Sequence, residues 1–318
     1  MRYYFAPMEG VTGALFRQVH HRYFPGVDKY YTPFLSPSQD HVFSRRERRE
    51  IEPGRNEGLN VVPQLLTRRA EDFLWAAEEL FQRGYREVNL NLGCPSGTVT
   101  AKGKGAGFLG RRAELEEFLD TVFARAGGPI SVKTRLGIQD PEEFWALLEL
   151  YNRYPIVELT IHPRVQKDLY RHPVRREELG RMLAESRNPV CYNGDIVTQR
   201  DLEELEGTWK GFEAVMIGRG LIADPAMVSC RQGGPALDRE RLGRFLEELY
   251  QGYTEEYGGA RNAMFRMKEL WPYLLCRFQG AEGYGKKLRK ARTPGEYEDV
   301  ARRILDECPL RPETEAGW

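Results

Sequence analysis

The chain opens with Arg2-Tyr3-Tyr4-Phe5-Ala6-Pro7-Met8-Glu9-Gly10, and the fold turns on how this stretch is read. Aromatic and apolar residues over positions 2–6 read as a buried first strand, which Pro7 brings to an end. An open doubly wound sheet that binds a dinucleotide would follow such a strand with a glycine-rich GxGxxG turn. Pro7-Met8-Glu9-Gly10 is not that turn. A parallel barrel makes no such demand. It asks that strand and helix keep alternating, with functional residues just past each strand.

Outward from this stretch the alternation continues. Short apolar, β-branched segments recur at residues 27–31, 60–65, 87–90, 130–134, 156–161, 189–192 and 214–217. Amphipathic stretches such as residues 69–83 and 111–126 fill most of the gaps, and Asp140-Pro141 marks a helix start. Eight alternations predict an α/β fold, a (β/α)8 TIM barrel over residues 1–236. Beyond Gln232-Gly233-Gly234-Pro235 the periodicity is helical only, at residues 238–257, 261–278 and 294–307. Residues 237–318 are therefore expected to form an all-helical C-terminal domain.

The 318 residues hold 47 Lys+Arg against 47 Asp+Glu, with 41% hydrophobic and 30% charged residues. Such a chain has a real core, and its zero net charge excludes a binder that holds nucleic acid by bulk charge alone. Cys94, Cys191, Cys230, Cys276 and Cys308 are scattered and never spaced as CxxC, which argues against a disulfide framework and against a structural metal. No apolar run approaches the roughly 18 residues of a membrane helix, and the first residues carry no signal-peptide pattern. A cytoplasmic monomer without metal or membrane partner is expected.

In a parallel barrel the site collects at the carboxyl ends of the strands. The first strand leads into Pro7, Met8 and Glu9, and the third ends near Gln64. The fourth runs into Asn91-Leu92-Gly93-Cys94-Pro95, the fifth carries Lys133 and Arg135, and the sixth ends at His162. The last two lead to Asn193-Gly194-Asp195 and Gly218-Arg219-Gly220, which bring backbone N–H groups and a guanidinium to the place where barrels hold phosphate. A phosphate-bearing cofactor follows. Lys133 on an apolar strand is either a rim lysine reaching solvent or a cation beside an electron-rich flavin. Gln64 and Asn91 suit a flavin or pyrimidine edge, or serve as buried structural amides. Cys94 lies in a glycine-rich loop that continues through Lys102-Gly103-Lys104-Gly105-Ala106-Gly107, which reads as a mobile cationic lid. An unperturbed thiol, with a pKa of about 8.5, is protonated at neutral pH and can donate a proton.

Taken together, Ala6-Pro7-Met8-Glu9-Gly10-Val11, Gln64-Leu65, Asn91-Leu92-Gly93-Cys94-Pro95, Lys133-Thr134-Arg135, His162, Asn193-Gly194-Asp195-Ile196 and Gly218-Arg219-Gly220 resemble the tRNA-dihydrouridine synthases, in that family's order. Arg266-Met267-Lys268-Glu269-Leu270-Trp271 resembles the family's C-terminal RNA-binding domain. The resemblance implies an FMN-dependent oxidoreductase with NADPH as transient reductant, reducing the C5=C6 bond of a uridine in tRNA. It implies Pro7, Met8 and Glu9 lining the flavin, with Gln64 and Lys133 at its ring. His162, Asn193, Gly194, Asp195, Gly218 and Arg219 are implied on its ribityl chain and phosphate. Cys94 is implied as the general acid, and Asn91 and Arg135 as contacts to the flipped uridine or its phosphate.

Residues 261–292 carry nine basic residues against two acidic ones, interleaved with Phe265, Trp271, Tyr273, Phe278 and Tyr284. Beside a flavin barrel this pattern reads as phosphate tracking, with Arg266, Lys268, Lys286 and Lys287 on RNA. The basic run at residues 45–49 is broken by Glu47 and followed by Glu50, and it reads either as a solvated helix, which the breaks favour, or as an RNA contact. Three alternatives stay open: the same reaction on ribosomal RNA, a flavin barrel acting on free pyrimidines, and a catalytically silent RNA-binding protein. The second has no use for a basic helical tail. The third leaves Cys94, Lys133 and the phosphate loops without a purpose.

Overall fold

The computed structural model describes residues 1–312; the expected end of the helical domain, residues 313–318, lies outside them. Its strands are β1 (Arg2–Phe5), β2 (Lys29–Tyr31), β3 (Val61–Val62), β4 (Gln64–Leu65), β5 (Val88–Leu92), β6 (Ile130–Arg135), β7 (Leu159–His162), β8 (Val190–Asn193) and β9 (Ala214–Ile217). All neighbours pair in parallel, in the order β3-β2-β1-β9-β8-β7-β6-β5-β4. The single strand expected over residues 60–65 is two segments, because Pro63 has no N–H to give to the ladder. Thus β3 pairs with β2 and β4 with β5. The barrel closes where Leu35 bridges Leu65 and the Gln64 N–H turns to Thr32 Oγ1 at 3.0 Å. This is the expected TIM barrel with one stave broken by proline.

The helices follow the periodicity closely. Residues 69–83 and 111–126 were legible as Ala70–Gln82 and Arg112–Arg125, and each buries its apolar stripe against the strands. Asp140 accepts the Glu142 N–H at 3.0 Å, yet the helix proper begins only at Glu143. After β9 every regular element of the described residues is a helix, apart from one isolated bridge between Phe278 and Leu310. The long helix Arg239–Tyr257 starts on Asp238, whose carboxylate accepts the Arg241 N–H at 2.8 Å, and stops at Gly258 in the left-handed region. Its Phe245 meets Phe16 and Phe24 edge-on, with ring centroids 5.9 and 5.3 Å apart, so the helical region and the barrel's outer shell share one core.

A second, smaller cluster of Tyr4, Ala6, Tyr31, Val62, Cys191, Ala214 and Met216 is separate from that shell. These residues fall on one phase of the strand alternation and fill the barrel's interior. Beneath them sits a carboxylate the sequence did not announce. Glu158 is 2% exposed, and it accepts hydrogen bonds from Tyr4 (2.7 Å) and Tyr31 (3.1 Å), with Lys29 Nζ 3.6 Å away. Lys29 also holds Glu87 at 2.7 Å. Burial raises the Glu158 pKa, and Lys29 and the two phenols only partly offset this. A carboxyl raised in the folded state contributes stability that is present when it is protonated and lost as pH rises through its folded pKa. Lys29→Met should therefore cost about 3 kcal/mol at pH 7.5, with a smaller loss at pH 5.5, read from urea unfolding. An equal loss at both pH values would assign the effect to packing.

Candidate active site

The strand ends converge on a chamber of about 480 Å³ walled by Pro7, Met8, Glu9, Phe34, Gln64, Asn91, Gly93, Cys94, Pro95, Lys133, His162, Tyr170, Arg219, Pro272 and Tyr273. A narrow cleft shares Pro7, Met8, Lys133, His162, Tyr170 and Arg219 with it and continues past Arg164, Asn193, Gly194, Asp195 and Gly218. Residues spread over more than two hundred positions of sequence are thus neighbours around one space. A roomier concavity of about 670 Å³ lies between helices Arg239–Tyr257 and Pro294–Glu307. None of the strand-end residues line it, so the chemistry belongs to the chamber.

Cys94 is held by backbone, not left on a loose loop. Asn91 Oδ1 accepts the N–H groups of both Gly93 (3.0 Å) and Cys94 (2.9 Å), and the Cys94 carbonyl accepts from Ala106 N at 3.0 Å. The segment expected as a mobile lid forms two short helices, Gly97–Thr100 and Ala106–Leu109. Val99, Ala106, Phe108 and Leu109 are buried there, which ties the segment to the barrel. Burial pushes the Cys94 thiol pKa up, against the opposing pull of Lys133 and Arg135. At neutral pH the sulfur keeps its proton.

Lys133 sits opposite in charge logic. Burial and the neighbouring Arg135 hold its ammonium down to about 8. No hydrogen bond or ion pair engages it among the described residues. A cation held with a depressed pKa on a chamber wall costs stability that an anionic or electron-rich ligand would restore.

The cleft end is built around Asp195. Arg164 grips it with two bonds of 2.9 and 2.6 Å, and Arg219 adds a third at 2.9 Å. Arg164 also lies 3.0 Å from His162 Nε2, and a guanidinium can only donate, so that nitrogen accepts and the ring proton sits on Nδ1. Burial and four nearby cations keep His162 neutral. Arg164, Arg219 and Lys133 against Asp195 leave two positive charges in excess. Gly194 has φ +145°, and a Cβ there would lie 2.7 Å from Val174. Gly220, expected to admit a ligand, instead lets its helix approach the Ile196 carbonyl, where a Cβ would sit 2.1 Å away.

Some expected residues lie elsewhere. Arg135 is fully buried beneath the wall, where its Nε donates to Gly93 O (3.0 Å) and Nη1 to Val165 O (2.9 Å). Those two carbonyls need a donor, and this draws the side chain inward. Arg266 donates to the Gly10 carbonyl at 3.3 Å, and Lys268 is engaged with the carbonyl of Ala291. Lys286 and Lys287 are exposed on the helix Tyr284–Lys290. Of the interleaved aromatics, Trp271 and Phe278 are core residues, Tyr284 bonds Glu307 at 2.6 Å, and Phe265 is half-exposed. Sequence reasoning missed Arg164, Tyr170, Phe34, Pro272 and Tyr273. Arg164 had a signal, two residues after the inward-facing His162. Tyr273 was legible only as one of the aromatics interleaved with the basic run, and nothing local in the sequence placed it in the chamber wall, which it reaches from the helical region.

The family profile described as dihydrouridine synthase matches residues 4–303. The chain is 31% identical over 321 aligned positions to a probable tRNA-dihydrouridine synthase 1 from Synechocystis sp., covering 96% of this chain and 86% of that protein. It is 30% identical over 317 positions to a probable tRNA-dihydrouridine synthase from Staphylococcus epidermidis, covering 96% and 93%. Among solved structures, morphinone reductase shares the fold, with a TM-score of 0.51 at 15% identity over 75% of this chain and 87% of that one. With its strand-end residues gathered at one chamber and a family match spanning nearly its whole length, the chain belongs to the dihydrouridine synthase family.

Proposed function

We propose that the protein is an FMN-dependent tRNA-dihydrouridine synthase, with NADPH as the transient reductant. One observation carries this reading. A protonated thiol, Cys94, and an ammonium without a partner among the described residues, Lys133, line the same chamber, and that chamber runs into a cleft with excess positive charge. The cofactor fits what is there. Lys133 needs an electron-rich partner, and Gly218 leaves the wall open toward Met8, where a Cβ would stand 3.2 Å from the sulfur. Pro7, Met8, Glu9 and Gln64 would flank the ring. Arg219, aligned by Asp195, would hold the phosphate with Asn193 and Gly194, and neutral His162 would meet the ribityl chain.

Bound there and reduced, the flavin would supply the hydride needed at C6 of the uracil. Cys94 gives its proton to C5, which completes saturation of the C5=C6 bond. The thiolate left behind lies within the fields of Lys133 and Arg135 and regains its proton from solvent. Arg135 serves this step from below by holding Gly93. The substrate base must leave its stack, at a cost of a few kcal/mol that RNA contacts elsewhere offset. The exposed Arg261, Lys286, Lys287, Arg289, Lys290 and Arg292 supply such a face.

Four outcomes are expected. Purified protein reconstituted with FMN should convert uridine to dihydrouridine in tRNA, measured by nucleoside mass spectrometry. Cys94→Ala should keep its flavin and lose turnover by at least about a hundredfold; undiminished turnover would refute the acid. Lys133 loses its proton as pH rises through about 8 in the free protein, so FMN affinity should fall by up to roughly tenfold between pH 7 and 9.5. Lys133→Met should flatten that profile in a fluorescence-quenching titration, and a parallel decline in both proteins would exclude Lys133. Finally, Lys286→Glu combined with Lys287→Glu should weaken tRNA binding and reduce its salt dependence, with flavin content unchanged. Identical filter-binding curves at low and high salt would move the RNA face elsewhere.

A further inference from the structure

Gln64 and Asn91 are the visible end of a longer chain of side chains. Asn91 Nδ2 donates to Gln64 Oε1 at 2.7 Å, Gln64 Nε2 to Asn89 Oδ1 at 2.8 Å, and Asn89 Nδ2 to Ser131 Oγ at 2.8 Å. Asn89 and Ser131 are fully buried and line neither the chamber nor the cleft. Strand register stacks the chain: Gln64 pairs with Asn89 across β4 and β5, and Asn89 with Ser131 across β5 and β6.

The polarity of this chain is not free. Asn91 Oδ1 faces two backbone N–H groups, those of Gly93 and Cys94, which can only donate. The oxygen must therefore point at the loop and the amide nitrogen at Gln64. Gln64 is then obliged to turn its oxygen to Asn91 and its nitrogen to an acceptor below. That acceptor is Asn89 Oδ1, whose own nitrogen is carried by Ser131. If Asn89 offered no oxygen, the Gln64 nitrogen would be buried unpaired, and rotating its amide would set it against the Asn91 nitrogen. Either state pulls Asn91 from the Cys94 loop.

We infer that Asn89, backed by Ser131, is a positioning residue for Cys94: it fixes the polarity of Gln64 and Asn91 and so holds the N–H groups of Gly93 and Cys94 in place. The inference rests on the proposed role of Cys94, but its grip on the loop is measurable without RNA. Asn89→Leu keeps the number and branching of heavy atoms and removes both polar partners. Asn89→Asp keeps an acceptor for Gln64 and offers its second oxygen to the Ser131 hydroxyl, so the polarity above it survives.

Alkylation of Cys94 by iodoacetamide, followed by peptide mass spectrometry on the FMN-loaded protein, reads the loop directly. In Asn89→Leu the rate at Cys94 should rise roughly tenfold, the equivalent of about 1.4 kcal/mol. The kcat on tRNA should fall by a similar factor in protein that is fully loaded with FMN. Asn89→Asp should return both to within about twofold of the parent. An unaltered Cys94 rate in Asn89→Leu, or an Asn89→Asp that behaves like Asn89→Leu, overturns the inference. Should Asn89→Leu not fold, Ser131→Ala decides, with the same direction at roughly threefold expected and an unchanged rate overturning it. If the parent protein makes no dihydrouridine at all, the proposed function fails, and the alkylation series still settles whether the chain of amides holds the loop.

Discussion

Side chains alternate across a strand, and in a closed parallel barrel one set of them has nowhere to go but inward. Every polar residue on that inward phase must then find a partner inside the barrel or at its mouth. The interior is layered by this demand. Glu158 at the floor is held by Tyr4, Tyr31 and Lys29, an apolar belt of Val62, Cys191, Ala214 and Met216 lies above it, and Asn89 and Ser131 carry the amides beneath the chamber. At the top the same phase delivers Gln64, Asn91, Lys133, His162 and Asn193 side by side. The chamber is the layer in which the protein's own partners run out, and Lys133 is where the shortage is plainest.

That shortage explains how one site keeps an acid and a cation in workable states. Burial pushes the Cys94 thiol toward its protonated form and the Lys133 ammonium toward its neutral one. For the thiol this preserves the proton it is proposed to give. For the lysine it creates a need that an electron-rich ligand meets. His162, by contrast, is surrounded by cations and stays a neutral hydrogen-bonding group.

The helical region does more than add charge. Arg266 reaches the Gly10 carbonyl, Arg49 and Arg55 both hold Glu256, and Pro272 and Tyr273 complete the chamber wall. A surface proposed to hold RNA is thus packed against the loop that follows β1. The zero net charge of the chain is consistent with this arrangement. Positive charge is concentrated over residues 261–292 and offset by acidic flanks, so attraction to phosphate is local, not general.

The alternation of strand and helix was legible from residues alone, because each element writes its own period into the sequence. So were the strand-end residues, since strand ends in a barrel share one face. The break at Pro63 was equally present in the sequence, and its consequence, two segments pairing with different neighbours, follows from a missing N–H. What no local pattern carried were the relations between strands. Lys133 and Arg135 lie two apart on one strand and so share a face, yet only three dimensions send one to the carbonyls of Gly93 and Val165 and leave the other facing the chamber. Pro272 and Tyr273 join a wall whose other members lie far back in the chain, and Glu158 finds its partners on β1 and β2. The sequence by itself determined the barrel, its helical tail and the ring of candidate residues, because these follow from periodicity and backbone chemistry. Only the tertiary structure decided which of those residues have their hydrogen bonds satisfied within the protein and which do not, because that depends on distances between segments remote in sequence.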